Sequence, residues 1–466
     1  MKIDQSRRRF IQGLGTAGLV AGAPLGLLSS LPSYAADTSG YKALVCVFLF
    51  GGLDGHDVLL PYDLPSYQSF VNARPSFVAN QPTRARDQLL KINPTNLAES
   101  ETREFALPPE MPQLHTLFEQ GNAALVANVG PLINPTDRAA YLSETVALPP
   151  RLYSHNDQQA IWQAGSPEGA LLGWGGLVAD PSLGSAAAQP FATITTEGSG
   201  LFLTGEKAAP YLIGLDSGVF NWLLDSAEDR RDEYGNESAY TAARRHVAGQ
   251  TYSGNNLIAR DIANLQNSAV NANELFNQAV QNAPTLSTVF PASPLGTQLQ
   301  AVARALSIRN NLNVNRQVFF VGIGGFDTHS NQVRSLGGLL SQIDAGIAAF
   351  QTSLAELNLV NEVTLFTASD FGRTLSVNGD GTDHGWGGHH FVVGGGVNGK
   401  SIFGNVPPST INHTQDAGGG RLIPTTSIEQ FAAPMASWFG LSSSEINTVF
   451  PNLSNFTDPA LPLFNT

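Results

Sequence analysis

Lys42 to Asp57 reads KALVCVFLFGGLDGHD. From Ala43 to Phe50 every residue is apolar, and the run breaks at Gly51-Gly52 into a loop holding Asp54, His56 and Asp57. A strand wetted on one side alternates apolar and polar residues, whereas one covered on both faces is apolar throughout. The run therefore predicts a buried strand feeding a functional loop. The same form recurs in AALVANVG (123–130), RQVFFVGIGG (316–325) and NEVTLFTASDFG (361–372), each ending in glycine or a polar cluster. Helical patterns lie between them: PEMPQLHTLFEQG (109–121), LGTQLQAVARALSIRN (295–310) and GGLLSQIDAGIAAFQTSLAEL (337–357). This alternation predicts an α/β fold, a sheet with helices on both faces. Open sheets of that kind gather their polar groups at the carboxyl ends of the strands.

The stretch 205–294 is different, being rich in Asn, Ala, Gln and Ser. It reads as a helical insertion that covers or borders the site, or as a structural subdomain. Residues 37–466 otherwise read as one domain. With 466 residues, 42% of them hydrophobic and no charge runs, the chain can bury a large core and does not have the composition of a disordered polymer.

The first 36 residues form a separate unit. SRRRFIQ (6–12) precedes a mildly apolar run and then SYA, the basic, apolar and small-residue order of an export signal with cleavage expected after Ala35. Arg7 and Arg8, with Phe10, match the twin-arginine pattern, so a periplasmic or exported location is expected. No later stretch is apolar enough over 18 residues to predict a membrane span. Removing the segment, with Lys2, Arg7, Arg8 and Arg9 against Asp4, takes the net charge from −13 to −16. So acidic a chain argues against nucleic acid as a partner. The single cysteine, Cys46, cannot form an internal disulfide, leaving the core or a metal to hold an exported fold together.

GGGVNGKS (394–401) fits the P-loop pattern letter by letter. A P-loop needs a helix after it, because the helix N-terminus holds the phosphates. Here IFGNVPPST follows, with Gly404 and Pro407-Pro408 in the first two turns, and proline inside a helix costs about 3 kcal/mol. The segment reads instead as a turn joining FVVGG to KSIFG as a hairpin, with no nucleotide bound.

Metal chemistry has better support. Four loops hold carboxylates or imidazoles: Asp54, His56 and Asp57; Asp327 and His329; Asp370, with Arg373; and Asp383, His384, His389 and His390. Asp and His in glycine-rich turns suit a divalent ion, Zn, Mn, Mg or Ca. The same residue types also form ordinary turns. In LYSHNDQQAIWQAG (152–165), Ser154 reads as a helix N-cap in a capping-box-like arrangement with Asp157, or as a hydroxyl nucleophile beside a metal. Both roles can coexist. Arg373 reads as a guanidinium fork for an anionic ester, or as a structural ion pair.

FLFGGLDGHDVLLPY, SHNDQQAIWQAG, GGFDTHSNQ, ASDFGRT and TDHGWGGHHFVVGGGVNG, in this order, resemble a twin-arginine-exported bacterial family with a domain of unknown function, in the alkaline phosphatase/sulfatase superfamily. The resemblance covers about residues 42–440, including RLIPTTSIEQFAAPMASWFG. It implies a mixed sheet sandwiched between helices, with one or two metal ions at its edge. It casts Asp54 as the metal ligand after the first strand and Ser154 as the nucleophile. Asp327, with His329, falls to the other metal, and Asp370 and His384 complete the set. Asp327 and His329 stand two apart rather than the usual four, and Phe371 follows Asp370 where a ligand is expected. One of two metal sites is then weakened, or filled by His155 or His389. The resulting expectation is a metal-dependent hydrolase of phosphate or sulfate esters. Its alternative is a non-catalytic periplasmic binding or assembly protein that keeps the fold and a metal.

Overall fold

The computed structural model describes residues 37–97, 101–183, 190–198, 200–215, 231, 234–238, 241, 242 and 256–465. The signal segment 1–36 lies outside them, as does most of YTAARRHVAGQ (240–250) from the expected insertion.

The strands that matter here are, in chain order, β1 (Lys42–Leu49), β2 (Ala123–Gly130), β3 (Thr193–Thr195), β4 (Tyr211–Leu212), β5 (Arg316–Ile323) and β6 (Val363–Ser369). They continue with β7 (Arg373–Asn378), β8 (Gly381–His384), β9 (Gly388–Val393), β10 (Ile402–Phe403) and β11 (Thr426–Ser427). The main helices are α1 (Leu64–Ala73), α2 (Pro112–Glu119), α3 (His155–Ala164), α4 (Leu257–Gln281), α5 (Pro294–Ser307), α6 (Gln332–Glu356) and α7 (Ile428–Phe439). The nine-stranded main sheet runs β10-β2-β9-β6-β1-β5-β3-β4, with β11 beside β2. The mixed sheet between helical layers that the resemblance implied is what the structure shows.

β1 is central. Lys42–Leu49 pair in parallel register with Arg316–Ile323 on one side, and Ala43–Leu49 with Val363–Ser369 on the other. Its two faces enter two different cores. Ala43, Val45, Val47 and Leu49 pack with Leu299 and Val302 of α5 and Leu340, Ile347 and Phe350 of α6. Leu44, Cys46 and Phe48 pack with Phe431, Met435 and Phe439 of α7 and Ile161 of α3. Burial on both faces is why the sequence shows no alternation. Each fully buried Leu or Phe contributes about 1.5–3 kcal/mol of transfer free energy.

Every pair in the main sheet is parallel except those that β9 makes with β2 and β6. A reversed strand brings its amino end to the edge where its neighbours bring their carboxyl ends. DHGWGGHH, ahead of and entering β9, thus reaches the same edge as the loops after β1, β5 and β6. Its sequence form suggested a fourth strand carboxyl end, and the fold corrects that.

The glycine-rich 394–401 segment is followed by β10, not by a helix. The expected hairpin does not form either, because β2 lies between β9 and β10, antiparallel to one and parallel to the other. The segment crosses the start of β2, with Gly394 N donating to Asn122 O at 2.9 Å and Lys400 N to Ala123 O at 2.8 Å. A Cβ on Gly399 would fall 2.1 Å from the Gly121 carbonyl oxygen, so these glycines serve close backbone approach.

α2 starts at Pro112 with no side-chain cap of its own. Asp344, in the middle of α6, supplies one by accepting from Gln113 N at 3.0 Å and Leu114 N at 2.7 Å. Burial pushes its carboxyl up to about 6, against the pull of those two N–H groups. Asp344→Ala should lower the unfolding free energy by about 0.5–2 kcal/mol, as loss of a cap does. Asp344→Asn, which keeps an acceptor oxygen, should cost less; urea denaturation followed by circular dichroism checks both.

Candidate metal centre

Three elements deliver side chains to the carboxyl edge of the sheet. α3 begins with His155, the loop after β5 carries Asp327, and β8 ends on His384. Each offers one ligand atom, and the three atoms lie within 4.8 Å of one another.

Their hydrogen bonds fix which imidazole nitrogen is free. His384 Nδ1 lies 2.8 Å from the carbonyl oxygen of Tyr153. A carbonyl only accepts, so Nδ1 holds the proton and Nε2 presents a lone pair. His155 Nδ1 lies 2.6 Å from Asp370 Oδ2, and an ionised carboxylate also only accepts. The neutral His155 ring therefore presents its Nε2 lone pair too. That atom is 3.4 Å from Asp327 Oδ2, and His384 Nε2 is 3.2 Å from Asp327 Oδ1. Two lone pairs and a carboxylate turned toward one another repel unless a proton or a cation lies between them; the His329 Nε2 proton, 2.8 Å from His384 Nε2, meets one of them, and a cation would meet all three. Two imidazoles and one carboxylate, each oriented by an outer partner, match the donor chemistry of a divalent ion, zinc in particular.

The outer partners are closely set. Asp370 has a fully buried side chain and also accepts from Gln159 Nε2 at 2.9 Å. That bond to Asp370 is the main reason the His155 pKa is raised, with burial opposing it. Burial lowers the His384 pKa. Burial alone would raise Asp327, but Arg373 at 2.8 Å, with His329 and His155, holds its carboxyl below the usual range. Tyr153 has a φ of 73°, a left-handed conformation that costs a bulky residue energy, and its carbonyl is the one that orients His384. Phe371 is the floor, its ring centroid 4.9 Å from that of His155 and 4.5 Å from that of His384. Where the resemblance expected a ligand after Asp370, the chain thus has an apolar support for both imidazoles.

The remaining expected residues take other places. Asp54 is outside the donor group. Its buried carboxylate accepts from Arg74 Nη1 at 2.6 Å, Arg74 Nη2 at 3.0 Å, His56 N at 3.2 Å and Gln332 Nε2, which leaves no lone pair pointing at a metal. Burial would raise its pKa, and the Arg74 charge and hydrogen bonds reverse this and lower it. His389 is a core residue of β9. Its Nδ1 accepts from Asn128 N at 3.0 Å, and burial pushes its pKa down to about 3, so it stays neutral. His329 sits at the rim, its Nε2 2.8 Å from His384 Nε2 and 3.2 Å from Asp327 Oδ1. Arg373 is committed to Asp327 Oδ1, Gly51 O and both oxygens of Thr382, with none of its side chain exposed. It positions Asp327 and has no face left for a substrate.

Ser154 has the backbone of an N-cap but makes no capping hydrogen bond. Its Oγ instead donates to Asp157 Oδ2 at 2.8 Å, so the expected capping-box-like arrangement is replaced by a hydroxyl–carboxylate pair. Of His155 and His389, the two residues offered to fill a weakened second site, His155 is the one that stands in the donor group. Arg74 and Gln332 left no signal in the sequence, because each is defined by a partner far along the chain.

The fold and this cluster define an α/β protein with a two-histidine, one-carboxylate site at the carboxyl edge of a mixed sheet. The chain belongs to the family described as a protein of unknown function, DUF1501, whose pattern matches residues 41–445. A comparison with curated proteins found no match. Among solved structures, Ps i-CgsB in complex with k-i-k-neocarrahexaose aligns over 90% of this chain and 77% of its own, at 8% identity and a TM-score of 0.34. The lipoteichoic acid synthase LtaP from Listeria monocytogenes aligns over 94% and 79%, at 10% identity and a TM-score of 0.32. The PsFucS1 sulfatase from Pseudoalteromonas sp. aligns over 79% and 66%, at 7% identity and a TM-score of 0.30.

Zinc titration by calorimetry should show a site that His155→Ala, Asp327→Ala and His384→Ala each abolish. Asp370→Asn should weaken it by about 10–100-fold, the usual effect of losing an outer partner. Asp54→Asn should leave it in place. Arg74→Met, which strands the buried Asp54 charge, should cost about 3–5 kcal/mol in urea denaturation. Since the Asp54 pKa is lowered on folding, its contribution is complete above about pH 3.9 and is lost as pH falls through the folded value. Acid titration of wild type against Asp54→Asn, read by circular dichroism, should therefore show the variant's stability falling less steeply below about pH 4.

Proposed function

We propose that this chain is an exported, metal-binding hydrolase of phosphate or sulfate esters, with His155, Asp327 and His384 holding a single divalent ion. The observation that carries this reading is the pair of fixed tautomers: Asp370 and the Tyr153 carbonyl each keep a proton on Nδ1, and so turn both Nε2 atoms toward Asp327. The nitrogen-rich donor set favours zinc or manganese over magnesium or calcium. Such an ion supplies Lewis-acid polarisation of an ester oxygen when bound.

The chain's own residues divide the remaining work. Arg373 holds Asp327 in place and charged. Phe371 keeps water from one side of both rings. Ser154, between the residue that orients His384 and the ligand His155, is the nucleophile candidate, and Asp157 at 2.8 Å from its Oγ is placed to take the hydroxyl proton. Export rests on the Arg7-Arg8 signal, which lies outside the described residues. Among the described residues no helix is long and apolar enough to cross a membrane. The acidic balance argues against a nucleic acid and the crossover at 394–401 against a nucleotide; a small anionic substrate depends on local positive charge from the ion outweighing that balance.

A second reading, a binding protein that keeps the metal without turnover, is favoured by one observation: Arg373 spends its donors on the protein. The zinc-loaded protein should be assayed against phosphate monoesters, phosphate diesters and sulfate esters. Turnover that falls at least ~10³-fold in Ser154→Ala, as loss of a nucleophile does, supports the hydrolase. Zinc bound with no turnover on any of the three classes selects the binding protein.

A further inference from the structure

The cleft beside the donor group contains a cation that the arrangement above leaves unused. It has a volume of about 380 Å³ and is lined by Tyr141, Tyr153, His329, Asp383, His384 and Arg421. Arg421 is half-buried and held at three points. Nε donates to the His384 carbonyl at 2.9 Å and Nη1 to the Gly418 carbonyl at 3.0 Å, and the guanidinium lies 5.5 Å from the Tyr153 ring centroid. Nη2 and the second N–H of Nη1 have no protein partner among the described residues. Arg373 is buried and engaged, so Arg421 is the guanidinium with hydrogens left to give.

We propose that Arg421 receives the anionic oxygen of the substrate, and that the site is built for an ester carrying one negative charge. This rests on the metal-binding reading above. A guanidinium already fixed by two carbonyls and a ring loses little freedom when an anion arrives, which favours binding. Charge balance supplies the rest. The carboxylates of Asp327 in the donor group and of Asp370 and Asp383 beside it stand against the guanidiniums of Arg373 and Arg421, while Asp157 beside Ser154 is offset by Arg151 at 3.4 Å. A divalent ion added to that set leaves a single positive charge. A sulfate monoester or a phosphate diester cancels it. A phosphate monoester dianion exceeds it, and its extra charge lies in a cleft that Asp383, about half exposed, also lines. The hydroxyls of Tyr141 and Tyr153, 3.2 Å apart, share one hydrogen bond and leave one O–H to donate. Recognition of this kind admits monoanions and rejects dianions by leaving them short of a cation.

The test uses the zinc-loaded full chain, titrated by calorimetry at pH 8 with methyl sulfate, dimethyl phosphate and methyl phosphate. The two monoanions should bind at least about tenfold more tightly than methyl phosphate, the scale of one charge-assisted hydrogen bond. Arg421→Met should weaken the monoanions by about 10–100-fold and Arg421→Lys by less, with zinc affinity and circular dichroism unchanged in both. Should Arg421→Met fail to fold, Arg421→Lys alone decides, since an unchanged monoanion affinity there overturns the assignment of the guanidinium. Methyl phosphate bound as tightly as the monoanions overturns the charge selection. Monoanion binding that ignores Arg421 in protein that holds zinc overturns this inference alone, whereas wild-type protein that takes up no zinc overturns the metal reading and this inference with it.

Discussion

The contact between Arg373 and Asp327 is the one on which the site depends, and it is the last link of a buried chain. Arg74 binds Asp54; Gln332 donates to Asp54 and accepts from Thr382; Arg373 donates to Thr382, and then to Asp327. Two guanidiniums lie almost wholly out of water along this path. A buried charge is tolerated only when paired and hydrogen-bonded, so each carboxylate is held where its arginine needs it. The same chain ties α1, the loop after β1, the start of α6 and the β7–β8 hairpin into one support. The exposed Asp327 carboxylate at its end gains a fixed position from an arginine that never meets solvent.

The sheet was legible in the sequence because burial on both faces leaves continuous apolar runs, and β1, β2, β5 and β6 lie where those runs do. Strand direction was not legible. Nothing local in GHHFVV distinguishes a parallel strand from the reversed β9, since direction is set by what the ends connect. The site was half legible. Asp327 and His384 stood out as polar residues in glycine turns, and both belong to the donor group. Asp54 stood out for the same reason, yet its partners are 20 and 278 residues away, and one of them is an arginine in a segment with no motif. Arg421 was hidden for a like reason, because its meaning comes from the carbonyls and the ring around it.

The two fixed imidazoles also explain why a strained residue persists. Tyr153 occupies a left-handed conformation, and its carbonyl is the acceptor that keeps the His384 proton on Nδ1. Relaxing Tyr153 would turn that oxygen away and free the His384 tautomer. The cost of the backbone conformation and the order of the site are therefore two sides of one arrangement.

The reversal of β9 bears on the order in which the molecule assembles. Residues 363–393 run through β6, the β7–β8 hairpin and β9, and β9 then pairs directly with β6. Closing so short a loop costs little entropy, so this segment can reach its native pairing early in folding. It carries Asp370, Phe371, Arg373 and His384 with it. His155, at the start of α3, and Asp327, after β5, lie farther off along the chain and join it through longer, parallel crossovers. Completing the donor group thus needs contacts of greater sequence separation than the hairpin segment does, and an ion bound to the finished group would stabilise the folded chain.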